Sequence, residues 1–265
     1  MDLKLKDKVA LVTGGSRGIG LRTARLFADE GCHIGICGRR AADVEAAAAE
    51  LSGLDVKVLA LPADVTAADQ AEAFVERCAA ELGRIDILIN NVGGSAGGHS
   101  LMATTDADWQ RTFEINPLQI VRMSRLVVPH MRRQGAGAII NLASISGWEP
   151  QLSGSPQYGT AKAAVIFMTE RLALELARDN IRVNTVSPGS ITWDGGDWDD
   201  YRKANGDGYA TYVRDGFPMG RLGAPEEVAD VIVFLASPRA HWINGRHIPV
   251  DGLEQPVPAP GYRPW

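Results

Sequence analysis

The sequence predicts a single α/β domain, a doubly wound parallel sheet with helices on both faces, spanning residues 1–265. Three observations carry this. Short apolar runs alternate with longer amphipathic ones along nearly the whole chain. The runs are continuously apolar, as strands buried on both faces require. A glycine cluster follows the first run and opens the first amphipathic stretch.

Taken in order, Val9–Thr13 reads as a buried strand ended by glycines, and residues 19–30 as a helix stopped by Gly31. Residues 33–37 form the next strand, 41–51 an alanine-rich helix, 56–61 a strand, 67–82 a helix and 85–89 a strand. Residues 109–131 are helical, with Pro117 expected to kink them. Then come a strand at 138–143, a long helix at 158–178, a strand at 181–186 stopped by Pro188-Gly189, a helix at 226–236 and a last strand at 247–250. Residues 255–265 are a Pro-rich tail without periodicity.

Composition excludes several function classes. With 32 acids against 27 bases the formal charge is −5, which argues against a nucleic-acid footprint. Five histidines show no ligand spacing, so no metal is expected. No apolar run reaches membrane-spanning length, the charged N-terminus is no signal peptide, and a cytoplasmic location is expected. Cys32, Cys37 and Cys78 contain no CxxC and read as reduced core thiols.

Thr13-Gly14-Gly15-Ser16-Arg17-Gly18-Ile19-Gly20 lies between strand and helix, where free helix N–H groups can receive a pyrophosphate. No Lys-Ser/Thr follows the glycines, which disfavours a P-loop. The second strand ends at Gly38-Arg39-Arg40, with no acid before Asp43. An arginine at this point pairs with a 2′-phosphate, so Arg39, helped by Arg17 or Arg40, points to NADP(H) rather than NAD(H).

Tyr158 and Lys162 are four apart on a helix and share a face. A nearby ammonium and a positive nicotinamide favour the phenolate, which predicts a Tyr158 pKa below that of free tyrosine. Ser144 closes the strand Ile139–Ala143 and is expected to face the ligand crevice. Asn116 sits inside a helical stretch, where asparagine is a poor former, either as a functional amide or as a partner of the Pro117 kink.

In these residues and several others, the chain resembles the short-chain dehydrogenases/reductases over essentially its whole length. The matching signatures are Thr13-Gly14-x-x-x-Gly18-x-Gly20, Asp64-Val65, Asn90-Asn91-Val92-Gly93, Asn116, Ser144, Tyr158-x-x-x-Lys162, Ser187-Pro188-Gly189, Gly220-Arg221-Leu222-Gly223 with Pro225–Ala229, and Val250-Asp251-Gly252. The resemblance implies a Rossmann fold and a ketone or aldehyde interconverted with an alcohol by hydride transfer. It implies Tyr158 as general acid or base, and Lys162 on the nicotinamide ribose. Ser144 would bind the carbonyl, and Asn116 would serve a proton relay to Lys162. Asp64 and Val65 would lie by the adenine, with Asn91 and Gly93 along the adenosine and nicotinamide side. Pro188, Gly189, Ile191 and Thr192 would cover the nicotinamide. It also implies a homotetramer built through helices 109–131 and 158–178 and the C-terminal strand region.

The sequence departs from the family in three places. Val92 stands where alanine is usual. Ser144 lies about one residue further from Tyr158 than is common, which suggests an insertion near Gln151–Gln157 and makes Ser146 a second candidate for the same role. Leu253 replaces a glycine.

Residues 191–220 read as a substrate lid carrying Trp193, Trp198, Tyr201, Tyr209, Tyr212 and Phe217. These aromatics fit either a pocket lining or a core, and the tail can reach a neighbouring subunit. The substrate is a small carbonyl or alcohol: a 3-oxoacyl thioester, or alternatively a sugar, polyol or cyclic ketone. Arg132, Arg133 and Arg178 could meet an acidic carrier, or simply complement helix ends. A non-catalytic NADP-sensing module on the same fold is the reading from another class, against which the combined Asn116, Ser144, Tyr158 and Lys162 set argues.

Overall fold

A computed structural model describes residues 2–151 and 154–261. Seven parallel strands form one sheet in the order β3-β2-β1-β4-β5-β6-β7: β1 Val9–Thr13, β2 His33–Gly38, β3 Val58–Pro62, β4 Ile87–Asn90, β5 Gly137–Leu142, β6 Ile181–Pro188 and β7 His247–Val250. The helices are α1 Gly18–Asp29, α2 Ala41–Leu51, α3 Ala68–Leu82, α4 Asp106–Phe113, α5 Gln119–Gln134, α6 Pro156–Leu176, α7 Asp197–Ala204, α8 Gly206–Gly216 and α9 Pro225–Ala236.

Successive strand residues serve opposite faces, which explains why the strands are apolar throughout. Ala10 and Val12 of β1 pack with Ala24 and Phe27 of α1 and Val228 and Ile232 of α9. Val9 and Leu11 pack on the other face with Phe74 of α3, Met123 and Val127 of α5 and Leu176 of α6. The strand order reverses between β1 and β4. A crevice therefore opens at the carboxyl ends of those strands, where open α/β sheets take ligands.

The expected helix over 109–131 is three pieces. A capping box between Thr105 and Asp108 starts α4 three residues early. Pro117, which has no N–H to give, lies in a π-helical turn, Glu114–Leu118, so the expected kink is a local change of winding. The strand expected at 56–61 begins at Val58 and that expected at 85–89 begins at Ile87.

The lid contains two helices that its glycines concealed. The sequence nevertheless carries α7's signal. Asp197, Asp199 and Asp200 occupy the first turn and Arg202 and Lys203 the last, matching the helix dipole. Asp199 pairs with Arg202 at 2.6 Å and with Lys203 at 2.5 Å.

The tail folds back on its own lid. Val257 and Ala259 join the cluster of Tyr201, Tyr212, Phe217 and Leu222, and Pro260 accepts hydrogen bonds from Tyr201 Oη at 2.6 Å and Asn205 Nδ2 at 3.0 Å. Tail residues 262–265 lie outside the described residues, as do residues 152–153 of the inferred insertion. Leu253 adopts φ +62°, the left-handed conformation for which the glycine it replaces is suited.

Candidate active site

A cleft of about 780 Å³ runs along the carboxyl ends of the strands, from the glycine turn to the lid. At its first end, Gly14 and Gly18 have φ of +63° and +53°. A Cβ on Gly20 would stand 2.2 Å from the Gly14 carbonyl oxygen, so only glycine lets α1 begin this close to the turn. Arg17 is the helix N-cap, no side chain caps the helix, and its first turn has no acid. The helix therefore presents unspent N–H groups and its positive end to the cleft. Ser16 and Ile19 line the same stretch.

Arg39 and Arg40 are both exposed and line the cleft. They differ in partners. Arg40 is committed to Asp43, at 2.6 Å from its Nε. Arg39 has no such ion pair among the described residues and lies close enough to Asp64 to lower that carboxyl's pKa. Asp64 Oδ1 is occupied by the N–H and hydroxyl of Thr66, while Val65 is buried beside it. Asn91 also lines the cleft, but its amide is spent on the turn, donating to the Thr13 and Gly14 carbonyls at 3.0 and 3.1 Å. It thus ties the end of β4 to the glycine loop.

At the middle of the cleft, Tyr158 and Lys162 come from the start of α6 and Ser144 from just beyond β5. Ser144 hydrogen-bonds the Tyr158 phenol. Ser146 also lines the cleft, and its backbone N–H donates to Ser144 Oγ at 3.2 Å. Lys162 Nζ sits 5.6 Å from the Tyr158 ring centre and donates to the Leu142 carbonyl at 2.8 Å.

Asn116 is fully buried in the π turn. Its Nδ2 donates to the Gly94 and Thr112 carbonyls, each at 2.7 Å, and its Oδ1 accepts from the Gly94 N–H at 3.4 Å. A Cβ on Gly93 would lie 2.6 Å from Lys162 Nζ and 3.1 Å from Asn116 Oδ1. Asn116 and Lys162 therefore both flank Gly93, and Asn116 does not itself line the cleft.

The expected depression of the Tyr158 pKa is not produced by the protein's own groups. Burial pushes the phenol up to about 12, against the smaller lowering by Ser144. Burial also brings Lys162 down to about 7, so near neutrality the amine is only partly charged and gives the phenolate little Coulombic help.

Over the far side, Pro188, Gly189, Ser190 and Ile191 line the cleft; Thr192 stands just outside, its N–H bonded to Gly223 O at 2.9 Å. Of the six lid aromatics, Trp193, Trp198 and Tyr212 face the cleft. Tyr201, Tyr209 and Phe217 pack in the lid's own core, which Tyr212 and Trp198 share, so the segment serves as both lining and core. Trp193 lies against the glycine turn, with ring atoms 3.0 Å from where a Gly18 Cβ would be.

Sequence reasoning missed Ser190 and Glu254, which meet at the lid end of the cleft. Nothing in their spacing, 64 residues apart, could reveal the contact. Burial raises the Glu254 pKa, and the Tyr212 and Ser190 donors oppose that rise.

The three cysteines are buried and unpaired, and burial pushes Cys32 and Cys37 up to about 12. Among the described residues no helix is long and apolar enough to cross a membrane.

Comparison with known proteins identifies the class that this fold and cleft define. A family model described as Enoyl-(Acyl carrier protein) reductase matches residues 14–252. The chain is 36% identical to the 3-oxoacyl-(acyl-carrier-protein) reductase FabG of Chlamydia muridarum over 256 residues, covering 95% of this chain and 99% of that one.

Among solved structures, L-sorbose reductase from Gluconobacter frateurii, complexed with NADPH and L-sorbose, superposes with TM-score 0.88 at 38% identity, covering 95% and 98% of the two chains. A 7α-hydroxysteroid dehydrogenase complexed with NADH and a 7-oxo bile acid superposes with TM-score 0.88 at 29% identity, covering 97% of each. The chain belongs to the short-chain dehydrogenase/reductase family of oxidoreductases.

Proposed function

We propose that this protein interconverts a ketone or aldehyde with an alcohol, using NADP(H), with Tyr158 as the proton-transfer residue. The observation that carries the reading is the Ser144–Tyr158 hydrogen bond beside buried Lys162, in the same cleft that begins at the glycine turn. The cleft fits a dinucleotide: Gly14, Gly18 and Gly20 make a turn too tight for a Cβ, and α1 offers uncapped N–H groups. Ser16, Arg17 and Ile19 would flank the pyrophosphate, Arg39 would meet a 2′-phosphate, and Asp64, Val65, Asn91 and Gly93 would lie along the adenosine and ribose. When bound, the cofactor supplies or accepts the hydride, and its oxidised ring adds a positive charge that lowers a nearby phenol's pKa.

Tyr158 then gives its proton to the substrate oxygen in reduction and recovers it in oxidation. Ser144 holds both that oxygen and the phenol in line. Lys162 would hold the nicotinamide ribose, and Asn116, beside Gly93, would support a water-mediated proton relay to Lys162. Pro188, Gly189 and Ile191, with Thr192 at the rim, would cover the nicotinamide.

The FabG relative's name suggests a 3-oxoacyl thioester substrate. The sorbose-bound neighbour suggests a sugar or polyol, and the polar lid end of the cleft favours this second reading. Arg132 and Arg133 close α5 ahead of β5, at the amino end of that strand and away from the cleft at the carboxyl ends, and Arg132 is paired with Asp179 at 2.8 Å; neither fact favours carrier docking within one chain.

A homotetramer is consistent with exposed apolar side chains on the named helices: Phe167 and Leu174 on α6, 76% and 70% exposed, are seven residues apart and share a face. Its place is the cytoplasm, where three buried thiols stay reduced. A panel of ketones with NADPH and of alcohols with NADP+ tests the activity. Turnover of a carbonyl supports the reading; tight NADPH binding with no turnover on any of them would overturn it. Sedimentation at micromolar protein tests the tetramer, and a lone monomer refutes it.

A further inference from the structure

We infer that Glu254 sets the hydrogen-bonding polarity of the substrate end of the cleft, so that the site selects a carbonyl or alcohol substrate bearing additional hydroxyl groups. This rests on the hydride-transfer reading above and narrows its substrate class.

Glu254 follows β7 and is only 3% exposed, yet it lines the cleft with Ser190, Tyr212 and Trp198. Its oxygens are engaged from two elements. Oε2 accepts the Ser190 backbone N–H at 2.6 Å. Oε1 accepts the Ser190 hydroxyl at 2.9 Å and the Tyr212 hydroxyl at 2.6 Å. The carboxyl also presses on the turn that covers the reacting end, since a Cβ on Gly189 would stand 2.6 Å from Oε2.

An ionised carboxylate accepts hydrogen bonds and donates none. Its charge therefore draws the protons of both hydroxyls, although the two oxygens are themselves within 3.1 Å. With its proton turned to Oε1, the Ser190 hydroxyl oxygen presents an acceptor to a molecule in the cleft. This wall asks for donors. An apolar chain placed against it gives the Ser190 oxygen no donor and loses that hydrogen bond. A substrate carboxylate or phosphate meets like charge. A substrate hydroxyl satisfies the wall. The Trp198 ring, stacked on Tyr212 at 4.8 Å and 5°, gives the C–H edge of such a molecule a flat apolar face. The same cleft is also lined by the paired hydroxyls of Ser95 and Ser155, 2.8 Å apart.

The test compares kcat/KM, by NADPH oxidation, for D-fructose against hexan-2-one and L-erythrulose against butan-2-one, with the N-acetylcysteamine thioester of 3-oxohexanoate as the acyl arm. In the unaltered protein at least one ketose should exceed its plain partner by tenfold or more. Glu254→Gln keeps the shape but offers an N–H₂ group to the two hydroxyls, and should bring that ratio to within about threefold. Tyr212→Phe, which keeps the ring, should lower it in the same direction. Preference for the plain ketones or the thioester in the unaltered protein, or a ratio that survives Glu254→Gln, overturns the inference while leaving carbonyl reduction intact. If no ketone is reduced, the hydride-transfer reading fails separately. Calorimetric titration of D-fructose and xylitol into the NADP+ complex then decides the role of Glu254. Binding that weakens at least tenfold in Glu254→Gln supports it; no binding, or equal binding in both proteins, overturns it.

Discussion

Lys162 should cost this protein stability, and the cost should depend on pH. Its amine is buried, with burial as the cause that lowers its pKa from 10.5 to about 7, and its hydrogen-bond partner is the neutral Leu142 carbonyl. The unfolded chain holds a proton between those two values that the folded chain has lost. Stability therefore rises with pH across that window, and the full cost is present below about pH 7. At roughly 1.4 kcal/mol per unit of pKa, that cost is on the order of 5 kcal/mol.

Lys162→Met removes the amine and keeps an unbranched chain. It also leaves the Leu142 carbonyl without its donor, an offset of about 1–3 kcal/mol that does not vary with pH. The clean readout is therefore the change in the stability gap. Between pH 6 and pH 9 the variant's advantage over the unaltered protein should shrink by about 3 kcal/mol, read from urea midpoints at fixed protein concentration. Turnover should be lost at both pH values. A gap that stays constant with pH would show that the folded protein holds Lys162 fully charged, and the argument from burial would fail.

Other outcomes follow from the same cleft. Arg39→Asp should reverse a preference for NADPH over NADH, measured by cofactor fluorescence; a charge-assisted bond to a phosphate contributes about 1.5–3 kcal/mol, and NADH binding as tightly as NADPH to the unaltered protein refutes it. Ser144→Ala should lower kcat with little change in cofactor affinity, whereas Ser146→Ala should be much milder because only its backbone supports Ser144. Deleting residues 255–265 removes Val257 and Ala259 from the lid core and the Pro260 acceptor from Tyr201, and should raise KM more than it lowers NADPH affinity; an unchanged KM refutes it.

Much of this architecture was legible because its signals are local. Strand β1 is apolar at every position but its last, and the glycine turn follows it directly, so the cofactor end could be placed from neighbouring residues. Tyr158 and Lys162 are one helical turn apart, and helix geometry alone brings them to one face.

What stayed hidden depends on distant contacts. Helix α7 was obscured by flanking glycines, although its acid-to-base order was there to read. The tail lacks periodicity because it is held by side chains of the lid rather than by a pattern of its own. Ser190 and Glu254 carry no motif, and only the return of the chain after β7 brings them together. The drying of the Tyr158 site was hidden for a related reason: spacing shows that an amine is near, but not that burial raises the phenol's pKa and lowers the amine's.

The central claim is proton transfer by Tyr158. Tyr158→Phe removes the phenolic proton and keeps the ring in its buried place beside Lys162. General acid–base catalysis of this kind contributes about 10²–10⁴-fold. On a carbonyl substrate for which chemistry limits the rate, kcat should fall by at least about a hundredfold while the dissociation constant for NADPH stays within about threefold. A Tyr158→Phe protein that turns over at close to the unaltered rate on that substrate would contradict the account.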